Sequence, residues 1–198
     1  MVQQLRIALQ KSGRLRGPSQ SLLKAVGIDC PDRESRLVVS SPSFPIELVY
    51  VRDDDIPAFV AGGDCDLGIV GRNAVVEKGL DEELYEYRRL GFGTCRLSIS
   101  GPSGSDFDSL RGLQGRRIAT SYPRTLGRFL ASRDIEADIV EIAGSVEIAP
   151  QLGVADYVCD LVSTGDTLRA QKLIELHTIL ESEAVLIGGQ SVIAPSKE

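Results

Sequence analysis

Residues 157–171 read YVCDLVSTGDTLRAQ. The first six form a largely apolar run of strand length, which gives way at once to Ser163, Thr164, Gly165, Asp166 and Thr167 before a helical pattern begins. A strand handing over to a helix through a short loop is the repeating unit of α/β architecture. The same order recurs just upstream, where RRIAT leads to PRTLGRFLAS and DIVEIA leads to SVEIAPQLG. It recurs in the first half too: LRIAL leads to PSQSLLKAVG, RLVVS and IELVYV flank a Ser/Pro turn, RDDDIPAFVAGG carries a helix start and a glycine stop, and CDLGIVG leads to NAVVEKG. Between the halves, YEYRRLGFGTCRLSISGPSGSDFDSLRG breaks the rhythm with two extended runs and a turn-rich stretch, and LIELHTILESEAVLI closes the chain in extended segments. The expected fold class is therefore α/β and two-lobed, with a cleft between lobes. Lobe I is expected over 1–90 plus 180–198 and is discontinuous; lobe II, 91–179, carries the hydroxyl-rich loop. Crossovers near Leu90 and Ile179 would serve as hinges.

Composition narrows the functional classes. The 198 residues are 42% hydrophobic and 25% charged, ordinary globular usage. No run approaches the ~18 apolar residues a membrane span requires, and the amino terminus lacks a secretory core, so a soluble, cytoplasmic protein without a membrane partner is expected. A formal net charge of −6 opposes general attraction to nucleic acid. Cys30, Cys65, Cys95 and Cys159 are scattered without a C-x-x-C pair, which suggests neither a zinc site nor a disulfide framework. An anionic ligand must then be captured by local donors.

The loop after YVCDLV supplies such donors. Gly165 admits positive φ and leaves room for a ligand, backbone N–H groups from Ser163 to Thr167 can converge on one concavity, and the hydroxyls of Ser163, Thr164 and Thr167 add to them. A phosphate monoester fits this chemistry. Asp160, on the strand itself, is an acceptor suited to sugar hydroxyls, which together point to a phosphorylated ribose. Asp166 opposes an anion unless it turns outward as a helix cap. Since Ser, Thr and Asp are also the commonest caps, these residues by themselves leave both a phosphate site and a plain helix start open.

The longer segment Glu147 to Leu168, EIAPQLGVADYVCDLVSTGDTL, resembles the signature of the ATP phosphoribosyltransferase family at Glu147, Gly153, Ala155, Val158, Asp160, Thr164, Gly165, Thr167 and Leu168. RIALQKSGRL, VRDDDIP, DLGIVG, CRLS, RIATSYP and GSVEIAP resemble other blocks of that family in the expected order. The resemblance implies a fold like that of type II periplasmic binding proteins. It also implies a reaction in which N1 of ATP attacks C1 of phosphoribosyl pyrophosphate (PRPP), giving phosphoribosyl-ATP and pyrophosphate in the first step of histidine biosynthesis.

Roles follow from the same likeness. Ser163, Thr164, Gly165, Asp166 and Thr167 are expected to hold the 5′-phosphate of PRPP, and Glu147 and Asp160 to serve the ribose hydroxyls or a hydrated Mg²⁺. Lys11 and Arg14 in QKSGRL and Arg36 in ESRLVV are expected at the ATP. Asp66 in CDLGIVG is expected there too, not from the likeness but because strand ends face the ligand in open α/β sheets, with helix capping or a buried turn as the alternative. Mg²⁺ would arrive on substrate phosphates, so no protein metal cage is expected. Such chemistry rests on positioning and charge control and needs no catalytic histidine; His177, in LIELHTIL, reads as a strand-face residue. A homo-oligomer is expected. The resemblance implies two forms, a long one with an additional carboxyl-terminal regulatory domain and a short one that works with a regulatory subunit resembling histidyl-tRNA synthetase; in both, a long helix is expected to follow GGQSVIAPSKE. The alternative reading is a non-catalytic bilobal ligand-binding or sensor domain.

Overall fold

A computed structural model describes residues 4–31, 36–105 and 107–189. The part of lobe I expected beyond position 189 lies outside them. The chain divides into two units, Met1–Thr94 with Glu183–Glu198, and Cys95–Ser182. The crossings thus fall a few residues later than the sequence suggests.

In the first unit the described residues form a six-stranded sheet of order β2-β3-β1-β4-β11-β5. Its strands are β1 (Leu5–Gln10), β2 (Val38–Ser40), β3 (Ile46–Val51), β4 (Leu67–Gly71), β5 (Leu84–Arg89) and β11 (Ala184–Gly189). β1 lies parallel to both β3 and β4, while β2 and β11 run antiparallel to their neighbours. A central parallel strand is covered on both faces, which explains why Ile7, Ala8 and Leu9 are all buried in succession. One face packs under α2 (Ile56–Ala61) and α3 (Arg72–Lys78), the other under α1 (Arg16–Ala25).

Helix α2 approaches the sheet closely at Gly68. A Cβ there would stand 2.7 Å from Ile56 Cγ2 and 3.0 Å from Val60 Cγ2, both in a packed core. Gly68→Ala is therefore expected to lower stability by about 1–3 kcal/mol through overpacking. Urea denaturation checks this, and an unchanged midpoint would show that α2 lifts off without cost.

The second unit holds a five-stranded sheet of order β10-β6-β9-β7-β8 among the described residues. Here β6 is Cys95–Pro102, β7 Arg117–Thr120, β8 Asp138–Glu141, β9 Tyr157–Val162 and β10 Leu173–Ser182. β7 pairs in parallel with β8 and β9, so three strands present their carboxyl ends at one edge. β6 runs antiparallel between β9 and β10. Leu97, Ile99, Ile118 and Cys159 face a core beneath α4 (Pro123–Ala131), and Ala119, Val158 and Val162 face a second core closed by Val146, Ala149 and Leu168.

One expected helix does not form. SVEIAPQLG yields a single 3-10 turn, Val146–Ile148, followed by turns. Pro150 lacks the N–H that would continue a helix and its ring would strike the carbonyl four residues back, while Gly153 adopts φ 68°. His177 lies in β10 with its ring centroid 5.4 Å from that of Phe129, a side chain on a strand face. All four cysteines are buried and none is in a disulfide among the described residues, and burial pushes the Cys65 thiol up to about 11.

Candidate functional site

The carboxyl edge of β7, β8 and β9 is stitched by side chains. Thr120, fully buried at the end of β7, donates to the Cys159 carbonyl at 2.7 Å and accepts from Tyr122 N at 2.9 Å. Ser121 Oγ donates to the Ile142 carbonyl at 2.6 Å, tying β7 to the end of β8. From this edge the chain leaves β8 through Gly144 (φ 130°) and Ser145 (φ 51°), two successive positive-φ residues that turn it back to place Glu147. For serine that conformation is strained, as is common where a loop is held for binding.

Glu147 and Asp160 meet the loop of residues 163–168 around a pocket of about 330 Å³, with Ser100 and Val158 of the sheet also lining it. Asp160 accepts from Leu161 N at 2.8 Å. Burial raises its pKa from the usual carboxylate range, the Leu161 N–H works against this, and the negative charge of Glu147 adds to the rise. Among the described residues neither acid has a cation or hydroxyl partner, and both would gain from either. Among the described residues no group of three or more His, Cys, Asp or Glu side chains could hold a metal ion. A larger depression of about 690 Å³ lies near the opposite ends of the strands, where Asp134, Glu136 and Asp138 make its rim unsuited to an anion.

Gly165 takes φ 79°, ψ 8° at the start of α5 (Asp166–Ala170). Asp166 does turn outward: its carboxylate pairs with Arg169 and accepts from Thr164 Oγ1 at 2.6 Å. Those contacts, the Thr164 hydroxyl first, hold its pKa below the ordinary value. The negative charge inside the loop is thus matched by a cation three residues on. The same geometry commits the Thr164 hydroxyl proton to Asp166, so of the three hydroxyls expected as donors, this one shapes the loop.

Behind the loop stands a group that sequence reasoning missed. Arg96 Nε and Nη2 each lie 2.5 Å from a Glu175 carboxylate oxygen, and Arg96 Nη1 donates to the Ser163 carbonyl at 3.4 Å. Ser98 Oγ and Thr178 Oγ1 donate to the same carboxylate at 2.8 and 3.1 Å. Hydrogen bonding from Arg96, partly offset by burial, holds Glu175 below the usual range. The available signal was alternation: Arg96, Ser98 and Ser100 are polar at every second position of a strand, hence on one face.

In the first unit the register settles which expected residues meet. Lys11 follows β1 and its N–H donates to the Val51 carbonyl at 2.7 Å, at the carboxyl end of β3. Gln10 Oε1 accepts from Leu15 N at 2.8 Å and closes the loop bearing Lys11 and Arg14, both exposed. β2 pairs Val38 with Val49 antiparallel, so the exposed Arg36 comes level with Val51 at that same edge. Asp66 does not join them. It precedes β4, exchanging bonds with the start of β1: its Oδ2 accepts from Arg6 N at 2.7 Å and its N–H donates to the Arg6 carbonyl at 3.0 Å. An aspartate ahead of an apolar run marks where a strand begins, and ligands of open α/β sheets bind where strands end. Asp53, by contrast, follows β3 at the Lys11 and Arg14 edge, where the Arg14 charge favours its carboxylate form.

Comparison with known proteins fits this arrangement. A protein from Stenotrophomonas maltophilia (strain R551-3) described as ATP phosphoribosyltransferase is 49% identical over 191 residues, covering 93% of this chain and 63% of that protein. The chain thus spans about 63% of the length of the curated relatives it matches. Among solved structures, the ATP phosphoribosyl transferase (HisG:HisZ) complex from Thermotoga maritima superposes with a TM-score of 0.80 at 28% identity, over 93% of this chain and 87% of that one. A histidine kinase sensor domain with similarity to periplasmic binding proteins superposes at 0.62 and 11% identity over 96% and 83%, a likeness of fold, the type II binding-protein fold. The family model described as HisG: ATP phosphoribosyltransferase matches residues 52–197, a span that includes the pocket acids and the whole hydroxyl-rich loop; the chain belongs to the ATP phosphoribosyltransferase family.

Proposed function

We propose that this chain carries the phosphoribosyl-binding and nucleotide-binding parts of an ATP phosphoribosyltransferase, a pentosyltransferase moving phosphoribosyl from PRPP to N1 of ATP. The observation that supports this best is the juxtaposition, in one pocket, of the Glu147 and Asp160 carboxylates with the loop Ser163–Thr167. Loop amides and the Ser163 and Thr167 hydroxyls take the 5′-phosphate. Glu147 and Asp160 accept from the ribose hydroxyls, which fixes the face of the sugar that C1 presents. Lys11, Arg14 and Arg36 receive the ATP phosphates and base. The N1 lone pair then forms the bond to C1 as the C1–O bond breaks, and the electron pair leaves with pyrophosphate. Glu147 and Asp160 are the side chains that would hold a hydrated Mg²⁺, which would supply charge neutralisation to the leaving group. Asp66 has no part in this reading.

The substrates are soluble metabolites and the proposed setting is the cytoplasm; no helix among the described residues is long and apolar enough to cross a membrane. The Thermotoga relative is one of a HisG:HisZ pair. A regulatory subunit of that kind and self-association are the partners to test.

The deciding experiment is pyrophosphate release from ATP, PRPP and Mg²⁺, with and without a HisZ-type subunit, alongside calorimetric titration with ribose 5-phosphate. Binding of the sugar phosphate and turnover under one of the two conditions are expected. Absence of both sugar-phosphate binding and turnover overturns the reading, and binding without turnover under either condition would favour a sensor domain.

A further inference from the structure

The turn that holds the proposed 5′-phosphate site has two of its carbonyls gripped by guanidinium groups from outside the turn. Arg96 Nη1 takes the Ser163 carbonyl at 3.4 Å, and Arg169 Nη1 takes the Thr164 carbonyl at 3.2 Å. In a trans peptide the C=O of one residue and the N–H of the next point in opposite directions. Fixing the Ser163 carbonyl toward Arg96 therefore turns the Thr164 N–H away from Arg96, and fixing the Thr164 carbonyl toward Arg169 turns the Gly165 N–H away from Arg169. Neither N–H donates to any group among the described residues. Two successive amides left in this way, with Gly165 left-handed, make an anion nest.

Both guanidinium groups are themselves held. Arg96 is engaged on both oxygens of Glu175, which Ser98 and Thr178 fix in turn, so its fork has little freedom to swing onto a ligand. Arg169 is paired with Asp166. Each cation reaches the anion through a peptide plane.

We propose that Arg96 and Arg169 are positioning residues of the phosphate site, holding the Ser163 and Thr164 carbonyls so that the amides of Thr164 and Gly165 stay turned to the anion. This rests on the reading of the loop as the 5′-phosphate site. Arg169 has a second effect, since it cancels the Asp166 charge, and the two effects separate by mutation. Arg169→Met removes both, Arg169→Lys keeps the charge and one donor, and the double variant Asp166→Ala with Arg169→Met restores neutrality without the carbonyl contact.

The test uses the 198-residue chain, titrated with ribose 5-phosphate by calorimetry and followed by amide NMR at Thr164 and Gly165. Arg96→Met and Arg169→Met are each expected to weaken binding at least tenfold. The neutral double variant is expected to stay several-fold weaker, and Arg169→Lys to recover most of the affinity. The Thr164 and Gly165 amide protons are expected to move downfield on binding in the unaltered chain and much less in Arg96→Met. If Arg96→Met does not fold, the exposed Arg169 series carries the test by itself. Affinities within twofold across the arginine-to-methionine variants that fold, with unchanged amide shifts, overturn the proposal while leaving the site in place. An unaltered chain that binds no ribose 5-phosphate removes the site, and the proposal with it.

Discussion

Asp53→Asn is expected to stabilise the chain by on the order of 2–3 kcal/mol at pH 7.5 and to change little at pH 4. Asp53 Oδ1 is shielded from solvent and has no hydrogen-bond partner among the described residues. Burial and the neighbouring Asp54 carboxylate raise its pKa from 3.8 to about 6, with Arg14 opposing the rise. Between those values the folded chain holds a proton that the unfolded chain has already lost. Stability from this group therefore falls as pH rises from about 4 to about 6, and the full penalty stands above that. Asparagine does not ionise, so the variant should lack this slope. Urea denaturation of both proteins from pH 4 to 8 measures it, and parallel stability curves would show that the carboxylate is solvated after all. The cost is borne at the edge that carries Lys11 and Arg14.

Gly165→Val is expected to reduce ribose 5-phosphate affinity by a hundredfold or more. The residue sits at φ 79°, where a β-branched side chain is a severe outlier, and a Cβ there would stand 3.3 Å from Arg169 Nη1. Arg169 Nη1, at the end of a flexible side chain, can give by a few tenths of an ångström, so the strain rests on the backbone, and flipping the 164–165 peptide to relieve it redirects an amide of the proposed phosphate site. Because the loop is at the surface and α5 is short, the fold should persist, so circular dichroism should be unchanged while calorimetry loses its signal. Retained affinity would place the phosphate on other groups.

Much of the second unit was legible because its signals are local. YVCDLV is apolar but for Asp160, as suits a central strand, and it ends in residues too small and polar to continue it. PRTLGRFLAS begins with proline where a missing N–H does no harm, and α4 forms there. What escaped depends on partners distant in sequence. Arg96 finds Glu175 only because β6 and β10 pair antiparallel, with Ser100 opposite Glu175. CDLGIVG shows that a strand exists without showing which of its ends faces a ligand, and Asp66 lies ahead of β4, bonded to Arg6. The helix expected in SVEIAPQLG failed on a single proline inside an otherwise suitable pattern. Arg36 aligned with Lys11 through two strand registers, β2 on β3 and β3 on β1, neither of which can be read from spacing.

The pairing of Cys95 with Ser182 places the first and last residues of the second unit side by side on neighbouring strands. On the other side of the junction, Ala184 N–H donates to the Phe92 carbonyl at 2.9 Å, so the two cut ends of the first unit are also adjacent. A segment whose entrance and exit touch is topologically a cassette, inserted at a single point of its host. The span from Arg96 through Glu175, with the pocket of Glu147 and Asp160 inside it, lies wholly within that insert, so recombination can transplant or replace it without rethreading the sheet of the first unit.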